Sequence, residues 1–254
     1  MRFLHSPRQN KILAVLPDEE LMRLLPFLEW VDMPLGQVIQ EPGARSSQLY
    51  FPATCIVARM YNRKSGISKR VSMTGNEGVE DIFLLLAGNS PPATVVVQNP
   101  GYGYRIKAKI LKKEFEAGGV LQQQLLRFSH ALLLQTEQSV VEACQTTEQK
   151  LCAFFLMTLD RLSGDSMVMT HEFVSTMIGS RRESVSEAAS ILQREGAIQY
   201  RRRHITVVNR KLLEDRVGEG YAALKKEYDR LLLNEPCADP VRHSRAVLKK
   251  AHGY

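Results

Sequence analysis

The segment from residue 180 to 187 combines side chains that can read the edges of base pairs. Arg182, Glu183, Ser186 and Glu187 present a guanidinium, two carboxylates and a hydroxyl at helical spacing. An arginine can donate two hydrogen bonds to O6 and N7 of guanine, and a carboxylate can accept one from N4 of cytosine. We therefore predict that these four side chains face the bases of a DNA duplex.

A second set of side chains near this segment could hold the phosphate backbone. Basic and hydroxyl groups bind phosphates without reading the base sequence, and the free N–H groups at a helix start attract the same anions. The predicted phosphate contacts are Thr170, Ser180, Arg181, Arg201, Arg202 and Arg203.

Two helices and a hairpin are needed to position these groups. Gly179 can supply the turn between the helices, and Ser180 with Glu183 fits a capping box that would start the second helix. That helix carries an apolar stripe of Val185, Ala188, Ala189 and Leu192. Alternating apolar residues on both sides of residues 201–203 predict a hairpin with a cationic tip. Together these features predict a winged helix-turn-helix.

The chain before residue 110 has a different pattern of apolar residues. Short apolar runs, divided by glycine and proline, predict strands at residues 48–52, 56–61, 69–73, 94–98 and 102–106. Such regularly spaced strands are typical of a β-roll, a cupin-like jelly roll, or a barrel. The apolar run at residues 82–87 predicts a short helix inside it.

A long helix should join the two parts. Its first apolar stripe, which we assign to a homodimer interface, is Leu121, Leu125, Phe128 and Leu132. A second stripe of Leu126, Leu133 and Val140 gives the helix two apolar sides, so one side would face the β-roll and the other a second subunit; a monomeric core helix is the alternative. Further helices are predicted over residues 148–162 and 212–233.

The predicted architecture is therefore α+β with four parts. We expect a sensor-like β-roll over residues 1–118, a dimerisation helix over 119–146, a winged helix-turn-helix over 147–233, and a basic flexible tail over 234–254.

Composition agrees with a nucleic-acid partner. The 254-residue chain has a formal net charge of +7, and residues 150–254 hold 18 Lys and Arg against 13 Asp and Glu. Without a long apolar segment or a signal-peptide pattern, we expect a soluble cytoplasmic protein with no membrane partner. Cys55, Cys144, Cys152 and Cys237 have no metal-binding spacing. We expect free thiols, with Cys144 and Cys152 as packing residues or, alternatively, as a redox pair between subunits.

The order of β-roll, long helix and winged helix-turn-helix resembles the Crp/Fnr superfamily of bacterial transcription regulators. The match lies in residues 179–185, Gly-Ser-Arg-Arg-Glu-Ser-Val, which resemble the opening of that family's recognition helix. The resemblance implies a homodimer that binds a palindromic operator in double-stranded DNA, with RNA polymerase as a further partner. It also places Arg182 and Glu183 at the base-reading positions, whereas Glu187 stands where the best-known members carry an arginine. We therefore expect a different half-site.

The sensor half departs from the family pattern. Members that bind cyclic nucleotides carry Gly-Glu and then Arg-Ser/Thr-Ala, but this chain has Val79-Glu80 and Pro91-Pro92-Ala93. A buried phosphate without a cation is costly. We therefore expect no cyclic-nucleotide control, and the effector stays unknown. The scattered cysteines, and the lack of any histidine between His5 and His130, predict no cofactor and no metal. Glu80 is the candidate effector contact, and an exposed or capping carboxylate is its ordinary role.

Three common enzyme motifs do not occur in the sequence. A Gly-Lys-Ser/Thr phosphate loop, a Gly-x-Ser-x-Gly elbow and His-Glu-x-x-His are all missing, so we predict that the protein is not an enzyme. The alternative is a small-ligand-binding or catalytic β-barrel with a winged helix that docks proteins.

Overall fold

The computed structural model describes residues 5–44, 46–62, 68–88 and 91–232. Its amino-terminal part is a roll of two antiparallel sheets, ordered β1-β7-β3 and β2-β6-β4-β5. The strands are β1 (Glu29–Met33), β2 (Val38–Gln40), β3 (Gln48–Pro52), β4 (Ile56–Asn62), β5 (Ser68–Thr74), β6 (Thr94–Asn99) and β7 (Gly101–Lys107). The five strands predicted from the sequence are confirmed, while β1 and β2 were not predicted.

Short helices flank and interrupt the roll. Before it lie α1 (Lys11–Ala14) and α2 (Asp18–Leu24), and inside it lies α3 (Phe83–Leu86), which confirms the short helix predicted at residues 82–87. After β7 come α4 (Ala108–Glu116) and the long helix α5 (Gly119–Glu142). The chain thus passes from the roll through α4 into the long helix.

The long helix turns its first apolar stripe inward, which corrects our dimer-interface assignment. Leu121, Leu125, Phe128 and Leu132 are buried in the core of the roll, so they are not available to a second subunit. Polar residues continue this buried face: Gln135 Nε2 donates to the carbonyl of Met73 on β5 at 3.1 Å. The second stripe, by contrast, is exposed, with Leu133 at 63%.

The carboxyl-terminal part contains helices around a small sheet of order β8-β10-β9. Its elements are α6 (Thr147–Leu159), β8 (Ser166–Val168), α7 (His171–Ile178), α8 (Arg182–Arg194), β9 (Ile198–Arg201), β10 (His204–Val207), α9 (Arg210–Val217) and α10 (Glu219–Leu232). The single helix predicted over 212–233 is wrong, because Gly218 at φ 82° separates α9 from α10. The predicted tail lies outside the described residues.

One apolar core joins the two halves of the chain. Alternate residues of β4, Ile56, Ala58 and Met60, point away from the roll and pack with α6, α7 and α8. At the edge of this contact, Arg161 Nε donates to Glu77 Oε1 at 2.7 Å, and both side chains are buried. The sheet that contains β4 is therefore covered on both faces.

Candidate nucleic-acid interface and sensor cavity

Helices α7 and α8 form the helix-turn-helix, and Gly179 makes the turn in the left-handed conformation at φ 64°. The N–H groups of Gly179 and Ser180 both donate to the carbonyl of Ser175, which ends α7. Because Ser180 is used in this way, Arg181 becomes the N-cap of α8, with no side-chain capping bond. The predicted Ser180–Glu183 capping box is therefore wrong, and the helix starts one residue later with free N–H groups.

Helix α8 separates an apolar face from a charged face as predicted. Val185, Ala188, Ala189 and Leu192 are buried. On the other face Arg182, Glu183 and Glu187 are exposed, whereas Ser186 is half-buried. Three of the four predicted base-reading side chains are thus open to a ligand the size of a duplex, and the fourth is partly covered.

The hairpin of β9 and β10 presents the three predicted arginines at its tip. Arg201 pairs with His204, so Arg202 and Arg203 are the two central turn residues, at φ 44° and 78°. Positive φ at both positions is the geometry of a type I′ turn, which favours Asn-Gly. Two arginines are therefore held in a strained backbone conformation, with their side chains exposed.

The other predicted phosphate contacts lie at the starts of α7 and α8. Thr170 caps α7 by accepting from the N–H of Phe173 at 3.1 Å. The hydroxyl of Thr147 lies 3.4 Å from that of Ser180, and both Thr170 and Ser180 are half-buried. Arg181 is exposed beside the uncapped start of α8, where a phosphate would meet a cation and free donors together.

Sequence reasoning missed a small cluster that links the motif's parts. The ring of His171 at the start of α7 stacks on Tyr200 of β9 with centroids 4.4 Å apart, and its Nδ1 lies 3.0 Å from Ser186 Oγ on α8. Burial, and then the charge of Arg182, lower the pKa of His171. A histidine at the first position of a helix was the available signal, but its two partners are distant in sequence.

A cavity of about 570 Å³ lies between the roll and α5. Its walls come from β4, β5, α3 and one side of α5. Pro91 also lines it. This proline belongs to the Pro91-Pro92-Ala93 segment, which stands where the family pattern has its phosphate-binding pair. The volume falls within the range of small-molecule sites.

Glu80 is buried beside this cavity, which corrects its expected exposed or capping role. One oxygen accepts from Arg59 Nη2 and the other from the hydroxyl of Thr74 at 3.0 Å. Arg59 Nη2 also lies 3.3 Å from Asp81 Oδ1. The carboxylate is thus committed to an internal ion pair.

Of the cysteines in the described residues, Cys55 and Cys152 are buried, and burial raises the pKa of each thiol to about 12. Cys144 is exposed in the turn after α5, so its expected packing role is wrong. Cys237 lies outside the described residues. Within them, no helix is long and apolar enough to cross a membrane, and no group of three potential ligands could hold a metal ion.

Comparison with known proteins agrees with this geometry. Residues 149–216 match the family model of the Crp-like helix-turn-helix domain. A search of curated proteins found no significant match. Solved structures with the same fold include a putative transcriptional regulator of the Crp/Fnr family from Eubacterium rectale, with 14% identity, 81% of this chain and 97% of that chain covered, and a TM-score of 0.62.

Two further structures show the same likeness. FixK2 from Bradyrhizobium japonicum is 19% identical, with 76% of this chain and 98% of that chain covered and a TM-score of 0.63. A putative cAMP-binding regulatory protein from Silicibacter pomeroyi is 17% identical, with 84% and 100% covered and a TM-score of 0.57.

The carboxyl-terminal half therefore contains a Crp-like helix-turn-helix domain, attached to a β-roll and a long helix in the fold of the Crp/Fnr regulators. The protein is a DNA-binding transcription regulator with a Crp-like helix-turn-helix domain at residues 149–216.

Proposed function

We propose that the protein is a homodimer that reads a palindromic operator through α8 in the cytoplasm. The observation that carries this proposal is the charged outer face of α8, with Arg182, Glu183 and Glu187 exposed beside an uncapped helix start. Arg182 would bond guanine and Glu183 would accept from cytosine. Ser186 makes a smaller contribution, because it is half-buried against His171.

Phosphate contacts would come from both ends of the motif. The exposed guanidinium of Arg181 lies at the start of α8, and Arg201, Arg202 and Arg203 lie at the hairpin tip. Thr170 and Ser180 would add hydroxyl contacts near the turn. These groups would orient the domain on the duplex without selecting a sequence.

The dimer would form through the exposed stripe of α5. Leu126, Leu133 and Val140 are separated by seven residues each, and all three are at least half exposed. A seven-residue apolar repeat is the seam along which two helices pack. A two-fold axis along this seam would give two copies of α8, as a palindromic site requires.

Selection of bound duplexes from a random pool tests this proposal directly. We expect a palindrome to be enriched without any added nucleotide. In the same selection with Arg182→Ala, we expect the preference at one base pair of each half-site to be lost. Enrichment of an asymmetric site by a monomer would contradict the dimer. A promoter that carries the selected palindrome would also be the template on which RNA polymerase recruitment is measured.

A further inference from the structure

The hydroxyl of Ser186 on α8 has one hydrogen-bond partner among the described residues, the ring of His171. Nδ1 of that ring lies 3.0 Å from Ser186 Oγ. Ser190, one turn later on α8, behaves differently, because its hydroxyl donates to the carbonyl of Ser186 at 2.8 Å. The Ser186 hydroxyl is therefore not used by the helix backbone, and what it offers a duplex depends on the hydrogen bond with His171.

Contacts from three elements hold the His171 ring in place. His171 is the first residue of α7, directly after the N-cap Thr170. Its ring packs on Tyr200 of β9 with centroids 4.4 Å apart and planes 31° apart. The backbone N–H of Tyr200 in turn donates to Gln193 Oε1 on α8 at 3.0 Å. The ring thus lies between β9 and α8, and its Nδ1 is directed at Ser186.

The surroundings of the ring indicate which nitrogen carries its hydrogen. Burial, and then the charge of Arg182, lower the pKa of His171, so the ring is neutral at neutral pH and has a single N–H. Nε2 is buried and has no hydrogen-bond partner among the described residues. Among backbone groups, a buried N–H without an acceptor is rarer than a carbonyl without a donor. The same reasoning favours a bare Nε2 and a hydrogen on Nδ1.

We propose that His171 is a positioning residue for base reading: its Nδ1–H donates to Ser186 Oγ, so the Ser186 hydroxyl donates its own hydrogen to an acceptor on a base edge. The acceptors in the major groove are N7 of purines, O6 of guanine and O4 of thymine. The amino groups of adenine and cytosine would instead compete with His171 for the same oxygen. The inference rests on the proposed function, because it requires α8 to lie in the groove.

Nitrogen NMR of the histidine rings tests the position of the hydrogen on the full-length protein without DNA. The spectrum is recorded at pH 8, well above the ordinary imidazole pKa of about 6.5. The signals of His171 are those that disappear in His171→Asn. We expect the His171 ring to be protonated at Nδ1 and bare at Nε2. A ring protonated at Nε2 would overturn the inference, because Ser186 would then have to donate to the ring.

Base analogues in the selected operator test what Ser186 reads. Acceptors are deleted with 7-deazaguanine, 7-deazaadenine, 2-aminopurine for guanine or 5-methyl-2-pyrimidinone for thymine, and amino groups with purine for adenine or 2-pyrimidinone for cytosine. One acceptor deletion should weaken binding about three- to tenfold in the unmodified protein, but not in Ser186→Ala. Ser190→Ala is the matched control on the same helix and should behave as the unmodified protein. A Ser186-dependent loss on deleting an amino group, or none at all, would overturn the inference.

Two substitutions of His171 separate its hydrogen bond from its packing. His171→Asn can still donate to Ser186 but lacks the ring, whereas His171→Phe keeps a ring for Tyr200 but cannot donate. The loss on acceptor deletion should persist in the Asn variant and fall in the Phe variant, where the serine hydroxyl can also accept. An equal loss in the Phe variant and the unmodified protein would overturn the positioning role.

The inference and the proposed function fail separately. An enriched palindrome together with a His171 ring protonated at Nε2 would overturn the inference alone. The absence of any enriched site would overturn the proposed function.

Discussion

At the scale of single residues, base reading and phosphate binding should separate cleanly. Arg182→Ala should cost about 1–3 kcal/mol on the selected operator and relax the preference at one base pair, because it removes a bidentate contact to guanine. Arg201→Ala should weaken specific and random duplexes alike and reduce the salt slope by about 1. Fluorescence anisotropy on both duplexes over a salt series measures both effects. Equal losses on the two duplexes for Arg182→Ala would assign that side chain to a phosphate.

His171 should make the stability of the helix-turn-helix domain, which we call the reader domain, depend on pH. The unfolded imidazole takes up a proton near its ordinary pKa of about 6.5, whereas burial and then Arg182 lower the pKa in the folded protein. Between the two pKa values the unfolded state binds more protons, so stability should fall as the pH falls through this window. Urea unfolding at pH 7.5 and 5.5 should show a smaller pH effect in His171→Gln. An identical pH effect in both proteins would remove His171 as its source.

At the scale of elements, substitutions in the exposed stripe of α5 test the proposed dimer interface. The buried stripe does not, because it belongs to the core of the roll. Leu133→Lys should yield a folded monomer with little operator affinity, because lysine places a charge in the middle of the apolar seam. Met22→Lys is the matched control, since Met22 is 65% and Leu133 63% exposed. Sedimentation should find the control dimeric. A dimeric Leu133→Lys protein would place the interface elsewhere.

Replacing the two central arginines of the hairpin tip should raise the stability of the protein and lower its affinity for DNA. Replacing Arg202 and Arg203 by Asn and Gly relieves two positive-φ arginines, so the free energy of unfolding should rise by about 1 kcal/mol. The salt slope of DNA binding should fall by about 2, since two phosphate contacts are lost. Lys112→Gln with Lys113→Gln removes the same charge from α4 and should leave the slope unchanged. An unchanged slope in the hairpin variant would mean that the tip does not touch DNA.

At the scale of the whole molecule, a buried polar cluster ties the reader domain to the roll and to α10. Arg161 Nη2 donates to the hydroxyl of Tyr228 at 3.0 Å, and Tyr228 donates to Glu77 Oε1 at 3.1 Å. Together with the direct Arg161–Glu77 pair, these bonds join three segments that are distant along the chain. The orientation of α8 relative to the roll therefore depends on charges as well as on the shared apolar core.

Arg161→Met should destabilise the protein by about 3–5 kcal/mol, because it leaves the buried carboxylate of Glu77 without its cation. Arg105→Met is the control: Arg105 pairs with Glu29 at 2.8 Å on the surface, and its loss should cost at most about 1 kcal/mol. Urea unfolding followed by circular dichroism and by the fluorescence of Trp30 measures both. Equal costs in the two variants would show that the cluster does not hold the domains together.

Local patterns in the sequence determined much of the architecture. The short apolar runs of β3 to β7, divided by glycine and proline, and the helical spacing on α8 are properties of neighbouring residues. Five strands and the apolar face of α8 could therefore be predicted. The charged face of α8 and the cationic hairpin followed from the same periodicities. The family resemblance rested on residues 179–185, which form one continuous segment.

Only the tertiary structure decided which surface each side chain meets. Both stripes of α5 are apolar, and nothing local indicates which one the roll covers. Glu80 is buried because Arg59, 21 residues away in sequence, supplies its countercharge. Burial and pairing are properties of residues brought together across the fold, whereas periodicity is a property of adjacent ones. The sequence by itself therefore determined most of the elements and the two faces of α8. Long-range packing decided which stripe of α5 the roll covers, the burial of Glu80 and the residues that line the cavity.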